Sequence, residues 1–277
     1  MRPSWPWIPL LSVALAACTP RGVELRLATF NVRNLAASDP PSKRQGVAEI
    51  LRLVDADVVL LEEVGGAAAL DGLAAEPAVA GRYSYRIEVE GNDQRGFGLG
   101  LLSSLPPTEV KSHRDDWFGG YRYTRDCLQV VFDLPAGRLA LLGVHFRAQL
   151  ADDPAHRLAE AEQTRLIADG LLADDPELWL VVLGDFNDVP GSPPLEALGG
   201  AEPRLSGVAS TLPAAESWTI ETTTGEGRRF DDLLVNPGLG AALHPATVSV
   251  LHDHDLDADL AGVSDHAPVA ASFDLGG

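Results

Sequence analysis

The chain has almost no cysteine: Cys18 and Cys127 are the only two in 277 residues, so no disulfide framework holds it together. Basic residues are also scarce. Against 40 Asp and Glu stand 21 Lys and Arg, which gives a net charge of -19. A surface of that sign repels polyphosphate and excludes a protein that grips nucleic acid by charge alone. A phosphate substrate held through bound divalent cations stays open, because a metal ion reverses the local sign. No run of basic residues interleaved with aromatics marks a nucleic-acid track, and no basic amphipathic helix marks a lipid surface. Internal repeats, low-complexity tracts and long linkers are missing as well. What is there, 45% hydrophobic and 22% charged residues with 27 Gly and 20 Pro, excludes disordered, collagen-like and coiled-coil chains. The length suffices to bury a sizeable core.

Residues 1–17 read as an address. One cation, Arg2, precedes an apolar run from Ile8 to Ala17 that is too short to cross a bilayer as a helix. Pro3, Pro6 and Pro9 argue against a buried helix, and the small residues before Cys18 fit the end of a secretory signal. Leu15-Ala16-Ala17-Cys18 resembles the lipobox of bacterial lipoproteins, in which the cysteine is lipidated and becomes the new N-terminus. Thr19 follows in place of Asp, so the resemblance does not extend to inner-membrane retention signals. The expectation is a signal peptide over 1–17, a short tether over 18–24 and one domain over 25–277, anchored through Cys18 in a membrane facing the periplasm or the exterior. The alternative is cleavage by the general signal peptidase at Ala-Leu-Ala-Ala, which leaves a soluble secreted protein. With Cys18 lipidated, Cys127 is a lone thiol.

Short β-rich runs predict strands at Glu24–Phe30, Asp57–Leu61, Phe97–Ser103, Leu128–Leu134, Arg138–Phe146, Leu178–Leu183, Asp232–Val235 and Val269–Phe273. Lys43–Val54 reads as a helix with Val47, Ile50, Leu51 and Val54 on one face. Pro154–Leu172 reads as a longer helix opened by proline in its first turn. Many strands with few helices between them point to a mixed α/β sandwich.

Polar residues of one consistent kind stand at the ends of these strands. They are Asn31, Glu62 and Glu63, His145, Asp185 and Asn187, Asp231, and Ser264-Asp265-His266. Carboxylate and amide oxygens bind Mg²⁺ or Mn²⁺, and histidines handle protons or transition-state charge, as a hard-cation phosphoryl-transfer site requires. Singly, most have a plain structural reading. Thr29-Phe30-Asn31 is a strand running into a turn, Glu62-Glu63 a solvated strand end, and His145 a satisfied buried histidine. Gly184-Asp185-Phe186-Asn187 is sharper, because a buried strand delivers two short oxygen ligands together. In Ser264-Asp265-His266-Ala267-Pro268-Val269 an acid and a base are adjacent and an extended strand is enforced beyond them.

Taken in order, Asn, Glu, His, Asp-x-Asn, Asp and Asp-His make the chain resemble the endonuclease/exonuclease/phosphatase superfamily, to which deoxyribonuclease I and the neutral sphingomyelinases belong. The resemblance spans nearly all of Leu25 to Phe273. It implies a deoxyribonuclease I-like fold: a four-layer αββα sandwich, two packed mixed sheets flanked by helices, with the site at one edge. By the same resemblance Asn31 helps set the metal, and Glu63 matches the metal-binding glutamate of a Leu-Gln-Glu motif. Glu62 replaces that motif's Gln, which is expected to bring extra negative charge near the metal. Asp185 and Asn187 match the pair that orients the water and the phosphate. Asp231 matches the aspartate of an Arg-Ile-Asp-Tyr segment, with Asp232 in place of the tyrosine. Asp265 and His266 match the terminal acid–base pair, His145 a histidine absent from the apurinic-endonuclease branch, and Arg125 an arginine that faces the phosphate in some bacterial branches.

The implied catalytic set is His145, Asp185, Asn187, Asp231 and His266, with substrate held by Arg125 and Asn187. The implied metal set is Asn31, Glu63, Asp185, Asn187 and Asp265, around Mg²⁺ or Mn²⁺. The expected protein is a monomeric phosphoesterase, nuclease-like by direct attack of water; a phospholipid or small-molecule phosphate ester is the alternative substrate. A catalytically inactive binding module would not need the whole set. Asp253, Asp255, Asp257 and Asp259 alternate like a calcium loop, but Ala258 and Ser264 stand where such a loop needs glycine and a bidentate glutamate. Gly96-Phe97-Gly98-Leu99-Gly100 lacks the P-loop lysine and reads as a strand packed closely on a neighbour.

Overall fold

A computed structural model describes residues 23–150 and 153–276, so the signal segment and Cys18 lie outside the described residues. The chain runs through β1 (Val23–Ala36), α1 (Pro41–Val54), β2 (Val58–Gly65), α2 (Ala67–Ala74), β3 (Tyr85–Val89), β4 (Gly98–Ser103) and β5 (Glu109–Ser112). It continues with β6 (Cys127–Leu134), β7 (Gly137–His145), α3 (Pro154–Asp174), β8 (Trp179–Asp185), α4 (Pro193–Gly199) and β9 (Ser206–Gly207). A small hairpin, β10 (Ile220–Glu221) and β11 (Gly227–Arg228), precedes β12 (Asp231–Val235), α5 (Pro237–Ala241), β13 (Ser249–Val250) and β14 (Val269–Leu275).

Two six-stranded sheets result, with strand orders β13-β14-β1-β2-β4-β3 and β5-β6-β7-β8-β12-β9. Each has one parallel pair near its centre, β1 with β2 and β7 with β8. Period-two alternation sorts the side chains. Leu25, Leu27, Val58, Leu60 and Leu101 meet Leu128, Val130, Leu141, Val181, Leu183 and Leu233 in a core between the sheets. The intervening Ala28, Phe30, Val59 and Leu61 lie under α1 and α2, against Val47, Ile50, Leu51 and Leu70. On the far side Leu142, Val144, Leu180 and Val182 lie under α3 and α4, against Ala161, Ala168 and Leu198. This is the four-layer αββα sandwich.

The eight strands read from the sequence are the interior strands of the two sheets. The four edge strands, β3, β5, β9 and β13, were not legible. All four residues of β5 are exposed, and a strand buried on neither face carries no apolar pattern. Helices α2, α4 and α5 are short and also escaped. Two predicted strands run further than their apolar runs. β1 continues past Phe30 with a register shift between Asn31 and Leu35, and β2 continues to Gly65 with one between Glu62 and Val64.

Two glycines are required by neighbouring backbone. A Cβ on Gly98 would collide with the Val89 carbonyl of the paired strand, which is the close packing expected of that glycine run. Gly184 has φ 140°, and a Cβ there would collide with the Val144 carbonyl of β7. The glycine of Gly-Asp-Phe-Asn is therefore what lets β8 close on its neighbour before it delivers Asp185. Gly184→Ala should lower stability by more than about 1 kcal/mol. Gly170→Ala, on an exposed helical position with open space around it, should raise stability by about 0.5–1 kcal/mol. Thermal melts of the two variants check both signs.

Candidate active site

Three neighbouring strands of the second sheet finish in one row. His145 of β7 is the register partner of Asp185 of β8, which in turn faces Asp231 of β12. Like charges opposite one another destabilise a sheet. Here His266 lies against both, with Nδ1 2.8 Å from Asp231 Oδ2 and Nε2 3.9 Å from Asp185 Oδ2. Asp231 Oδ2 also accepts the Thr219 hydroxyl at 2.6 Å. Burial by itself would lower the His266 pKa, but the charges of Asp231 and Asp185 outweigh it and raise it to about 10. Burial and the Asp231 charge push Asp185 up to about 7, against the pull of His266 and hydrogen bonds from Asn187 and Asn31.

His145 is in the opposite state. It is 2% exposed, its Nε2 lies 3.3 Å from Asp185 Oδ2, and its Nδ1 has no partner among the described residues. Burial, with the cations Arg125 and His266 nearby, holds its pKa well below the ordinary imidazole value. The site thus holds one cationic and one neutral histidine, both within reach of Asp185.

The first sheet supplies the facing wall. Thr29 and Asn31 follow Leu25 and Leu27 on the inner face of β1, and Asn31 Nδ2 donates to Asp185 Oδ2 at 3.1 Å, joining the two sheets. Strict alternation in β2 would carry Glu63 to the same face as Leu61, under the helices. Instead Glu63 takes the left-handed conformation, φ 65°, at the register shift, and its side chain turns to the pocket. Its Oε2 accepts Asn34 N–H at 3.0 Å, and Arg95 lies 3.7 Å from Oε1.

Glu62, from which extra charge is expected near the metal, turns away from the pocket. That side chain is fully buried, hydrogen-bonded to Thr29 Oγ1, and does not line the pocket. Burial, with Asp231 and Asp185 close by, pushes its pKa well above the usual carboxyl range. Asp232 points away too: it accepts Ala209 N–H at 3.0 Å and takes no part in the pocket.

Asn31, Glu63, Arg125, His145, Asp185, Asn187, Asp265 and His266 all line one cavity of about 670 Å³, with Asp231 buried behind His266. Asn187 Nδ2 donates to Phe146 O at 3.1 Å. Arg125 is 3% exposed; it reaches Asp93 at 3.2 Å and Phe146 O at 3.2 Å, and its Nε has no partner among the described residues. Ser264 ties the last motif to the first: its hydroxyl donates to Asn31 O at 2.7 Å and accepts His266 N–H at 3.1 Å. Asp185, Asp231 and His266 have ligand atoms close together, but Asp231 lies behind His266 and outside the cavity. Glu63, Asn31 and Asp265 offer oxygen donors to the cavity without thiolate, a set suited to a hard divalent cation.

Sequence reasoning missed the rim arginines. Arg33, at the register shift of β1, and Arg95 and Arg147, on loops, join Arg125 around the cavity, and no periodic pattern singles any of them out. It also missed Glu160, which is fully buried on α3 and accepts Thr124 N–H and Arg147 N–H, both at 2.6 Å. One carboxylate thereby holds the loops that carry Arg125 and Arg147. Among the described residues, four of the five non-glycine positions with positive φ line the cavity: Arg33, Asn34, Glu63 and Asn187.

The two histidines can be read directly. Ring-nitrogen NMR of the metal-free protein should find His266 cationic at about pH 8 and His145 still neutral when the pH is taken below the ordinary imidazole range. A His266 ring that loses its proton below about pH 7 overturns this arrangement. A free imidazole titrates near ~6.5. With the folded value raised to about 10, the stability from the His266–Asp231 contact is complete below ~6.5 and is lost as pH climbs through about 10. The urea midpoint should accordingly fall toward that of His266→Gln as the pH is raised.

The family model for the Endonuclease/Exonuclease/phosphatase family matches residues 28–266. A search of curated proteins returns no match to this chain. Among solved structures, truncated TDP2 from Caenorhabditis elegans is similar, with TM-score 0.69 and 17% identity over 91% of this chain and 97% of that one. An endonuclease/exonuclease/phosphatase family protein from Bacteroides thetaiotaomicron gives TM-score 0.67 and 17% identity, covering 91% and 98%. Sphingomyelinase C from Streptomyces griseocarneus gives TM-score 0.64 and 19% identity, covering 91% and 99%. These likenesses carry the fold. With the family match, they lead to one assignment: the chain belongs to the endonuclease/exonuclease/phosphatase family of metal-dependent phosphoester hydrolases.

Proposed function

We propose that the chain is an extracytoplasmic, monomeric phosphodiesterase of nuclease-like type, dependent on Mg²⁺ or Mn²⁺, in which water attacks phosphorus directly. The observation that carries this reading is the row His145, Asp185 and Asp231–His266, facing Glu63 and Asn31 across a cavity lined by arginines and carboxylates together. Glu63, with Asn31, Asp185, Asn187 and Asp265, would hold the ion, whose charge draws electron density from the phosphoryl oxygens. The oxygen-only donor set favours a hard cation over zinc.

The protein's own groups account for the rest. Arg125 and cationic His266 bind non-bridging oxygens of the phosphate. Asp185 and Asn187 orient the attacking water; its oxygen bonds to phosphorus, the bond to the leaving oxygen breaks, and the water proton passes to Asp185. His145 donates a hydrogen bond to the developing charge. Four arginines line the cavity beside four carboxylates, Glu63, Asp93, Asp185 and Asp265. A metal ion held by the carboxylates would leave the wall positive, which favours a substrate with several negative charges and hence the nuclease-like reading over a zwitterionic lipid.

Hydrolysis of bis(p-nitrophenyl) phosphate, with and without added metal, tests the reaction; plasmid DNA, RNA, sphingomyelin and nucleotides assayed in parallel test the substrate. Glu63→Gln should abolish activity or demand far more metal, and unchanged metal dependence would remove Glu63 as the principal ligand. His266→Ala should cost a factor of about 10² to 10⁴ in rate, with Asp231→Asn reproducing much of that loss. Full turnover by His266→Ala at saturating metal would refute the mechanism.

The location rests on Leu15-Ala16-Ala17-Cys18. Cys18→Ser should release the protein from the membrane fraction, and mass spectrometry should find a lipidated N-terminal Cys18. An unmodified Cys18 or another mature N-terminus contradicts the anchor.

A further inference from the structure

One group of ligand-type side chains has no part in the pocket. His252, His254 and Asp255 lie on and just before a single 3-10 turn (Asp253–Asp255) between β13 and β14, and their ligand atoms all fall within 4.8 Å of one another. His252 Nδ1 is 3.6 Å from Asp255 Oδ2, and His254 Nε2 is 3.7 Å from Asp255 Oδ1. The two imidazoles are stacked at 5.0 Å with their planes 14° apart, so both present an edge nitrogen to one carboxylate.

A second observation singles out the nitrogen. His252 is 3% exposed, and its Nε2–H donates to the Trp218 carbonyl at 2.8 Å. That bond puts the ring proton on Nε2 and leaves Nδ1 an acceptor turned to Asp255, whose backbone N–H it caps; a bound ion would take that lone pair in place of the N–H. A backbone carbonyl on the far nitrogen is the usual companion of a metal-binding histidine, because it fixes the tautomer and raises the ligand's basicity. The Trp218 ring stacks on His252 at 4.0 Å and holds the imidazole plane in place. The Asp255 carboxylate is steadied by accepting His252 N–H at 3.1 Å.

We propose that His252 Nδ1, His254 Nε2 and the Asp255 carboxylate bind a divalent transition-metal ion of the zinc type, separate from the hard cation of the pocket. Two imidazole nitrogens and one carboxylate oxygen select Zn²⁺, Co²⁺ or Cu²⁺ over Mg²⁺ or Ca²⁺. His254 and Asp255 are exposed, so water completes the coordination from the solvent side. The ion would act on the fold around the catalytic histidine. Trp218 precedes Thr219, whose hydroxyl bonds Asp231 and whose carbonyl accepts Ala267 N–H at 2.7 Å, and Ile220 bridges to His266. A metal on His252 therefore pins the turn to the segment that holds the Asp231–His266 pair.

The stack supplies its own reporter. Co²⁺ quenches indole emission at short range, so titration of metal-free protein with Co²⁺ in excess Mg²⁺ should quench Trp218 fluorescence with saturation at one equivalent. Zn²⁺ should reverse the quenching, and Trp218→Phe should remove the signal. His254→Ala and Asp255→Asn, both at exposed positions that leave folding intact, should abolish saturable quenching, whereas Glu63→Gln should retain it. Zn²⁺ should also raise the Tm of the wild type and leave that of His254→Ala unchanged. Quenching that does not saturate, or that persists in His254→Ala, overturns the site. Because Glu63→Gln disables the pocket ion alone, this result stands or falls independently of the phosphodiesterase reading.

Discussion

Asp185 and Asp231 face each other across the β8–β12 pairing, and the His266 ring is hydrogen-bonded to one and within ion-pair reach of the other. Two carboxylates buried side by side repel strongly in a low-dielectric interior, and neither keeps its charge without a compensating cation. The surrounding loops exist in the form they do to supply that cation. Thr219 caps Asp231, Ser264 caps the His266 backbone and ties it to Asn31, and Asn31 reaches across to Asp185. Every one of these contacts but the short Ser264–His266 bond joins segments distant in sequence, so the pocket floor cannot form before both sheets have come together.

Polarity is carried deep into the structure for the same end. Helix α3 buries Arg157, Glu160, Thr164 and Arg165, where an ordinary amphipathic helix would bury leucine or valine. Each side chain is matched to a polar group. Glu160 holds two loop N–H groups, Arg157 pairs with Asp188 at 2.8 Å, Thr164 meets the Tyr123 hydroxyl at 2.9 Å, and Arg165 donates to Gly199 O at 2.7 Å. The helix thus serves as a frame for irregular backbone. Rigid loops keep Arg125 and Arg147 on the cavity wall.

The interior strands were legible because each is buried on both faces, and Asp185, Asn187, Asp265 and His266 stood out because polar residues ended apolar runs. Legibility stopped where local pattern and tertiary context disagree. Nothing in Val58-Val59-Leu60-Leu61-Glu62-Glu63 says which glutamate turns to the cavity, because alternation is broken by a bulge that only the pairing with β4 reveals. The chemical state of Glu62 was equally hidden, since a strand-end acid reads as solvated until the second sheet is seen covering it. The rim arginines and Glu160 answer to contacts between loops, and no periodicity encodes those. His252 and His254 were masked by the acidic residues around them, which draw attention to calcium and away from the nitrogen donors.

Strand β1 enters its sheet at Val23 and brings Asn31 to the cavity at its other end, a run of about 26 Å at about 3.3 Å per residue. Residues 18–22 reach no further than about 17 Å even when fully extended. A lipid on Cys18 would therefore tether the domain at the end of β1 opposite the cavity.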